Sequence, residues 1–305
     1  ILPALKRKNV QYSLYAISDA SFINDSSLFV KKVDRGGYID YRFSIYNHSA
    51  DQMTSLGTET LRKMILNQVG TSVPQGNANK EFIENLAGNY LVIDNENNTV
   101  RGTDETTYGF RGDSTIDLHP EKIQAETDNG ETYEVDTWFS FNTASLFSAI
   151  SSHEKFYELA VKAGFVNESY YEFNFLTEGA YYTVFLPGEQ ALEDYQADTL
   201  TKEELREFIK FHFVKGDIVL TDGKKSSGKY QTLDENHTDP TIPFNRLDLR
   251  TGFDVIDILD SEGNVYLSVQ EEEGKTNQFT AYDTAPDSDS EYDYVTTGVI
   301  HNIDK

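Results

Sequence analysis

Residues 181–214, YYTVFLPGEQALEDYQADTLTKEELREFIKFHFV, place the strongest constraint on the fold, because three elements with clear boundaries follow one another there. Tyr182, Val184 and Leu186 alternate with other β-branched or aromatic residues, which predicts a strand buried on both faces. Pro187 ends that strand, and the good helix formers after it predict a short helix. The sequence therefore predicts a strand that leads directly into a helix.

A second helix is predicted from its N-terminal cap. Thr201, followed three residues later by Glu204, has the capping-box pattern. An apolar stripe with helical spacing follows, formed by Leu205, Phe208, Ile209, His212 and Phe213. We therefore predict one amphipathic helix that includes the histidine.

A third motif, GVIHNID, lies at residues 298–304. A TVF-x-P strand, a helix, a helix ending in FHFV and this segment, in that order, resemble the fasciclin domain family, whose closing strand usually reads NGVIHVID. The resemblance spans most of residues 143–305. It implies an α+β fold built on a seven-stranded β-wedge or sandwich with flanking helices. It also implies an extracytoplasmic adhesion or binding role in place of catalysis.

The first half of the chain contains a divergent internal copy of these motifs. Three pairs of segments align without gaps: residues 12–22 with 182–192, 61–69 with 205–213, and 130–136 with 298–304. In the first copy Ile17 replaces the proline and Gln68 replaces the histidine. We predict two fasciclin-like domains in tandem, over residues 1–140 and 141–305.

The first copy is also longer than the second between its first two motifs. It has about 26 more residues between its first two motifs, long for a loop without structure of its own. Two β-like runs within them flank Gly36 and Gly37, which predicts an inserted β-hairpin over about residues 27–47. Because few residues precede Tyr12, we expect this domain to be N-terminally incomplete. Any export signal or lipid anchor is expected upstream of Ile1.

Composition narrows the classes of partner. The 305 residues include 51 acidic and 26 basic side chains, for a net charge of −25. So negative a chain repels nucleic acid, and no nucleic-acid partner is expected. Cysteine is absent, which excludes disulfides, thiol catalysis and Cys-ligated zinc. No apolar run approaches the roughly 20 residues that span a bilayer, so no transmembrane segment is predicted.

The two histidines in the resembling motifs raise the question of catalysis. Histidine is a suitable general base, yet the sequence contains neither a GxSxG elbow nor an HExxH motif. We interpret His212 as a structural histidine hydrogen-bonded to nearby backbone. In animal members of the family a Tyr-His pair in this region is tied to integrin adhesion. Phe211 and His212 stand there in this chain and are candidate binding residues.

Arg111, Gly112 and Asp113 form a second candidate binding motif, the tripeptide that some integrins recognise. The alternative interpretation is a glycine turn followed by an aspartate. Residues 223–230, GKKSSGKY, nearly match the phosphate-binding pattern, but Tyr230 stands where serine or threonine is required. Because β-like runs at residues 218–220 and 230–233 flank that segment, a hairpin loop is predicted. The acidic residues 287–293 are interpreted as a solvated loop in preference to a calcium site.

The sequence thus predicts a non-enzymatic, extracytoplasmic adhesion or binding protein without catalytic, metal-binding or cofactor-binding residues. Its expected partner is an envelope protein or a surface glycan. The expected location is a bacterial cell surface or periplasm, with anchoring in the outer membrane as one form of attachment. Two alternatives remain: a polysaccharide-capture protein of a bacterial glycan-uptake system, and a hydrolase that uses two carboxylates in a cleft between the domains. An exposed aromatic platform would favour a glycan, and a flat apolar patch would favour a protein partner.

Overall fold

A computed structural model of the chain describes residues 9–17, 28–34, 36–37, 39–47, 52–104, 116–117, 126–127, 129–135, 138–177, 179–281 and 297–305. The chain forms two compact units. Unit 1 consists of Ile1–Gly76 and Glu81–Phe141, and unit 2 of Asn77–Lys80 and Asn142–Lys305. Both units combine strands with helices, which confirms the predicted α+β class. Within the described ranges, no helix has both the length and the apolar character needed to cross a membrane.

The elements of the first copy are, in chain order, β1 (Tyr12–Ile17), β2 (Leu28–Asp34), β3 (Ile39–Asn47), β4 (Gln52–Leu56), α1 (Thr58–Asn67), β5 (Val69–Gly70), β6 (Lys80–Glu84), β7 (Tyr90–Asp94), β8 (Thr99–Arg101), β9 (Ile116–Asp117), β10 (Glu126–Thr127) and β11 (Gly130–Val135). One sheet has the strand order β10-β11-β1-β5. In it β1 pairs parallel with β11 and antiparallel with β5. The other sheets have the orders β6-β7-β8-β9 and β2-β3-β4.

Strands β2 and β3 lie where the sequence predicts an inserted hairpin. They pair antiparallel, with Asp34 opposite Ile39 next to the turn. Gly36 and Gly37 in that turn have φ angles of 72° and 98°, which glycine adopts without a steric penalty. Strand β4 then pairs with β3, so the insertion forms a three-stranded sheet.

The elements of the second copy are α2 (Leu146–Ser151), α3 (Glu154–Lys162), β12 (Val166–Asn167), β13 (Glu172–Phe173), β14 (Tyr181–Pro187), α4 (Glu189–Asp194), a 3₁₀ turn (Ala197–Thr199), α5 (Lys202–Phe211), β15 (Phe213–Lys215), β16 (Gly228–Glu235), β17 (Phe244–Gly252), β18 (Val255–Leu259), β19 (Val265–Gln270), β20 (Gln278–Phe279) and β21 (Thr297–Ile303). Strands β12 and β13 pair separately. The other strands form one sheet in the order β19-β18-β17-β16-β15-β14-β21-β20. Within the described ranges this sheet has eight strands, one more than the resemblance implies, and the two-residue β20 lies at its edge.

The two copies share their central strand pairing. In unit 1, β1 places Tyr12 opposite Gly130 of β11. In unit 2, β14 places Tyr182 opposite Gly298 of β21, also in parallel register. These are the residues that the internal sequence alignment equates. The next antiparallel pair agrees as well, because Leu14 lies opposite Val69 just as Val184 lies opposite Phe213. The structure thus confirms the repeat.

Strand β14 is buried on both faces, as its sequence predicts. All its residues after Tyr181 are buried. Tyr182, Val184 and Leu186 pack in one core cluster with residues of α2, α3 and α5. Phe185 points into a second cluster built from strands β15, β17, β18, β19 and β21. The strand therefore lies between a layer of helices and the curled remainder of its own sheet.

Helix α5 begins at a side-chain cap. The Thr201 hydroxyl accepts a hydrogen bond from the Glu204 N–H at 3.3 Å, and the Glu204 carboxylate accepts one from the Thr201 N–H at 2.8 Å. This confirms the predicted capping box. The helix ends at Phe211 with His212 as its C-cap, so the prediction that it includes His212 and Phe213 is wrong. Phe213 belongs to β15, because pairing with β14 satisfies its backbone and buries its ring.

Candidate functional site

A groove with a volume of about 560 Å³ opens on unit 2. Apolar residues from seven elements line it: Phe185 of β14, Leu192 of α4, Phe208 of α5, Leu247 of β17, Ile258 of β18, Leu267 of β19 and Ile303 of β21. Helices supply one wall and the sheet supplies the other. A concave, mostly apolar site of this volume is typical of ligand-binding pockets.

Three exposed aromatic side chains extend the apolar lining to the solvent. Tyr195, Phe211 and Tyr266 all line the groove, with relative exposures of 60%, 36% and 54%. Tyr195 stacks on Phe208 with ring centroids 5.1 Å apart. The Lys305 Nζ lies 4.4 Å from the centre of the Tyr266 ring. The groove therefore offers aromatic faces at its surface and aliphatic side chains inside.

Asp234 is the buried polar residue of this groove. Its side chain lines the groove although the residue is only 8% exposed. Oδ2 accepts a hydrogen bond from Asn245 Nδ2 at 2.6 Å. Within the described part of the chain, Oδ1 has no hydrogen-bond partner. Oδ1 is itself buried, and a buried carboxylate oxygen without a donor is costly to the fold.

The other two carboxylates of the groove already have contacts. Glu204 caps helix α5 through Thr201. The Glu207 Oε1 lies 3.7 Å from the His237 Nε2. The polar chemistry of the groove therefore centres on Asp234.

His212 also lines the groove, at the C-terminal cap of α5. The ring is half-buried and meets Phe208 edge-on, with centroids 4.7 Å apart. Burial lowers the pKa of His212 to about 4, while a hydrogen bond with the Phe185 backbone acts in the opposite direction. The imidazole is therefore neutral at pH 7 and serves as a hydrogen-bonding group.

Gln68 makes the equivalent contact in unit 1. The Gln68 Nε2 donates a hydrogen bond to the Tyr15 carbonyl at 3.1 Å, and the Tyr15 N–H donates to the Gln68 carbonyl at 2.8 Å. In unit 2 the Phe185 N–H donates to the His212 carbonyl at 3.0 Å. Because Tyr15 aligns with Phe185, the backbone carbonyls of Gln68 and His212 tie the end of a helix to the same strand position. Both positions require a hydrogen bond to the neighbouring strand, and the glutamine and the histidine both make it.

His301 is fully buried in β21, with both ring nitrogens engaged. Nδ1 accepts a hydrogen bond from the Asn277 N–H at 3.3 Å, so the proton resides on Nε2. Nε2 then donates to the Val219 carbonyl at 2.9 Å. Burial lowers the pKa of His301 to about 4. This histidine is neutral and structural.

The remaining sequence motifs form no site in the described chain. Arg111, Gly112 and Asp113, and likewise the acidic residues 287–293, lie outside the described residues. Strand β16 begins at Gly228, so the near match to a phosphate-binding loop leads into a strand and not a helix. Among the residues that the structure describes, no three His, Asp or Glu side chains come close enough together to hold a metal ion.

The β-like run predicted for residues 218–220, just before that loop, is wrong. Residues 218–220 are buried but belong to no strand. Side chains satisfy the backbone there: the Val219 N–H donates to the Thr183 hydroxyl at 2.9 Å, and its carbonyl accepts from His301. The β-like composition of this run reflects burial, and its hydrogen bonds do not form a ladder.

Among the residues that line the groove, only Phe211 and His212 are candidate binding residues from sequence alone. Phe211 and His212 were singled out, whereas Asp234, Tyr195 and Tyr266 were not. These three residues lie on different elements and carry no local motif. Only the folded sheet brings them to the same groove.

Unit 2 is thus an α+β domain with a central parallel strand pair, an apolar groove open to solvent and histidines that serve the fold. The Fasciclin domain family model matches residues 151–305, about half of the chain, so the chain belongs to the fasciclin domain family. Domains of this family are known for adhesion and binding, and are typically found outside cells or on their surfaces. The shared strand register places two such copies in tandem.

One solved structure is similar over most of the chain. It is a FAS1 domain pair from the insect cell adhesion molecule fasciclin I, with 11% sequence identity and a TM-score of 0.35. The similarity covers 99% of this chain and 90% of the insect chain. The search of curated protein sequences found no match.

Proposed function

We propose that the chain is a non-enzymatic adhesion or binding protein of a cell envelope, acting outside the cytoplasm, and that it holds a protein partner through the groove of unit 2. The observation that carries this proposal is the lining of the groove. Aliphatic side chains form its interior, and Tyr195, Phe211 and Tyr266 extend it to solvent. Aromatic anchors around an apolar pocket are characteristic of the energetic centres of protein interfaces.

Catalysis is not part of the proposal. His301 has both ring nitrogens engaged, and His212 is a neutral group tied to the backbone of β14. Glu204 is used to cap a helix. These residues have structural roles in which a general acid or base would be poorly placed.

A surface glycan is the second candidate partner, and one observation favours it. Tyr170 and Tyr171 are adjacent and have relative exposures of 73% and 74%. Neither lines the groove. Exposed aromatic rings offer stacking surfaces for sugars, so this pair is the natural place for a glycan to bind.

The two candidates predict different effects of surface substitutions. In a pull-down from envelope extract, we expect one envelope protein to bind the wild-type chain, and a Tyr195→Ala/Phe211→Ala/Tyr266→Ala variant to lose it. A Tyr170→Ala/Tyr171→Ala variant is the matched control and should keep the partner. Because all five side chains are exposed, the substitutions should cost little stability.

A glycan array completes the test. Binding to an array glycan that disappears in the Tyr170→Ala/Tyr171→Ala variant would overturn the protein-partner proposal in favour of a glycan. Equal retention of the envelope protein by the wild type and the groove variant would overturn the assignment to the groove.

A further inference from the structure

We infer that the partner protein adds an extended segment, as a further strand, to the free edge of β19. This inference rests on the proposed function, since it takes a protein as the bound partner. It adds the conformation of the bound segment and the backbone groups that hold it. The edge and the groove are neighbours, because Tyr266 and Leu267 of β19 line the groove.

Strand β19 is the last strand of the eight-stranded sheet. Among the described residues it pairs with β18 alone. Its sequence, VYLSVQ, contains neither a charged residue nor a proline, the features with which proteins commonly block such an edge. At the opposite edge the sheet ends in β20, which has only two residues. The edge of β19 is therefore the one long enough to accept another strand.

The ladder with β18 shows which backbone groups of β19 face away from the sheet. Just beyond the last pair of that ladder, the Glu271 N–H donates to the Asp254 carbonyl at 2.8 Å. Hydrogen-bonded and non-hydrogen-bonded pairs alternate along an antiparallel ladder. Gln270, one residue before Glu271, is therefore in a non-hydrogen-bonded pair, and so is Ser268. The N–H and C=O groups of these two residues point outward from the sheet.

These outward groups are open to a partner. Ser268 and Gln270 are both exposed, and within the described ranges no hydrogen bond reaches their backbone from outside the sheet. The Tyr266 carbonyl differs, since it accepts a hydrogen bond from the Lys305 Nζ at 3.2 Å. Outward groups two residues apart match the spacing at which an extended chain presents its own N–H and C=O groups along one edge. An extended segment can therefore bond both residues at once.

Space beside the edge can receive the side chains of such a segment. A cavity of about 170 Å³ is lined by residues 267–270 of β19 and by polar residues of other segments, among them Lys275 and Asn302. Side chains of an added strand alternate between the two faces of the sheet. One set would lie next to Leu267 and Val269, which pack in the core of this sheet. The bound segment should therefore carry apolar residues at alternate positions.

A separate partner fits this edge better than a second copy of the chain. Each copy has a net charge of −25, and like charges oppose association. Exposed acidic residues also lie at both ends of the strand, Glu262 before it and Glu272 after it. The bound segment should therefore carry lysine or arginine at its ends.

Two peptides test the inference on the wild-type chain. The first is the acetylated heptapeptide amide Lys-Leu-Thr-Leu-Thr-Leu-Lys, and the second is the same peptide N-methylated at its five central residues. N-methylation removes backbone donors and keeps every side chain. In calorimetric titration at about 0.15 M salt, the first peptide should bind about tenfold more tightly, because it alone can pair with the edge. Equal affinities, or no binding of the first peptide at about 1 mM, would overturn the inference.

Substitutions at Ser268 locate the contact. Ser268→Pro removes an outward N–H, and proline is tolerated on an edge strand where its nitrogen faces solvent. Ser268→Ala is the matched control, since both variants lose the hydroxyl that bonds Asp257 but alanine keeps the N–H. The preference for the unmethylated peptide should fall below about threefold in Ser268→Pro and persist in Ser268→Ala. An equal preference in the two variants would contradict pairing at this edge.

Amide hydrogen exchange gives a test that depends on no variant. In the free chain the Val269 amide should exchange slowly, because it faces β18, and the Ser268 and Gln270 amides should exchange fast. The first peptide should slow exchange at Ser268 and Gln270. Protection confined to other segments would refute the site.

The outcomes distinguish this inference from the proposed function. If the peptide preference depends on the Ser268 N–H while the envelope pull-down fails, the inference stands and the proposed function falls. If the pull-down depends on the groove but the two peptides bind alike, the reverse applies. A dimer in light scattering that is lost in Ser268→Pro would overturn the separate partner in favour of a second copy.

Discussion

His301 lies face to face with Phe185, with ring centroids 5.5 Å apart and ring planes inclined by 21°. The aligned pair in unit 1, Tyr133 and Tyr15, has centroids 5.3 Å apart and planes inclined by 15°. Both stacks join residues that lie opposite each other on the central parallel strands. Because a tyrosine occupies the histidine position in one copy, the stack belongs to the fold and not to acid–base chemistry.

The dependence of the free energy of unfolding on pH should report the protonation of His301. Burial lowers its pKa in the folded chain to about 4, from an ordinary value of 6.5. Between these values the unfolded chain binds a proton that the folded chain does not, so stability falls as the pH decreases from about 6.5 to about 4. One such group contributes about 3 kcal/mol over that range.

The measurement is urea unfolding from pH 7 to pH 4 for the wild type and for His301→Gln. Glutamine also donates and accepts hydrogen bonds but does not titrate. The variant should lose stability less steeply as the pH falls, whereas the carboxylates contribute alike in both proteins. Parallel curves would show that the pKa of His301 is not lowered in the folded chain.

His212→Gln should be nearly neutral, within about 1 kcal/mol, because a glutamine makes the equivalent contact in unit 1. His212→Leu should cost about 1–3 kcal/mol, because it removes the side-chain hydrogen bond with the Phe185 backbone. The free energy of unfolding in urea distinguishes the two variants. Equal losses would mean that the imidazole matters for its shape and not for its hydrogen bond.

Gly130 and Gly298 occupy the same position in the two copies but should differ in their tolerance of alanine. A Cβ at Gly130 would overlap the Tyr12 carbonyl oxygen, a backbone atom of the paired strand. A Cβ at Gly298 would lie 3.0 Å from Leu146 Cδ1 and 3.3 Å from the Tyr182 carbonyl oxygen. We expect Gly130→Ala to cost more than about 3 kcal/mol and Gly298→Ala about 1–2 kcal/mol.

Thermal unfolding of both variants measures this difference. Gly57→Ala is a suitable control, since the nearest atom to its added Cβ would be the Thr60 hydroxyl oxygen at 3.8 Å. A Gly130→Ala chain as stable as the control would contradict the close approach of β1 and β11.

Thr201→Ala should destabilise unit 2 by about 1 kcal/mol, because the N-terminal cap of α5 is lost. Lys202→Ala, at the next and equally exposed position, should change stability by less than about 0.5 kcal/mol. Chemical unfolding of the two variants under identical conditions gives the comparison. A larger loss for Lys202→Ala would show that the cap contributes less than its geometry implies.

Local sequence signals predict the core of the fold well. The strand ending at Pro187, the capping box at Thr201 and the alignment of Tyr12 with Tyr182 depend on residues close together in sequence or on a gap-free repeat. The equivalence of Gln68 and His212 was also visible in that alignment. What sequence alone did not show is that the backbone carbonyls of both residues accept a hydrogen bond from the same strand position.

The groove was not predictable in the same way. Asp234 lies in an ordinary polar run, and its carboxylate accepts a hydrogen bond from Asn245 on the next strand. Residues 218–220 resemble a strand in composition, yet their backbone bonds to Thr183 and His301. In both cases the deciding contacts come from residues distant in sequence, which no local pattern specifies.

The parallel pairing of β14 with β21 also sets the order in which unit 2 can be made. Strand β14 is apolar on both faces, yet its neighbour β21 follows on the order of 100 residues later, which takes a ribosome roughly 5–20 s to synthesise. During that interval β14 can pair with β15 on one side, but its other edge has no partner strand, since a contact of such long range cannot form early. The sheet of this domain can therefore be completed only after its last strand has been synthesised.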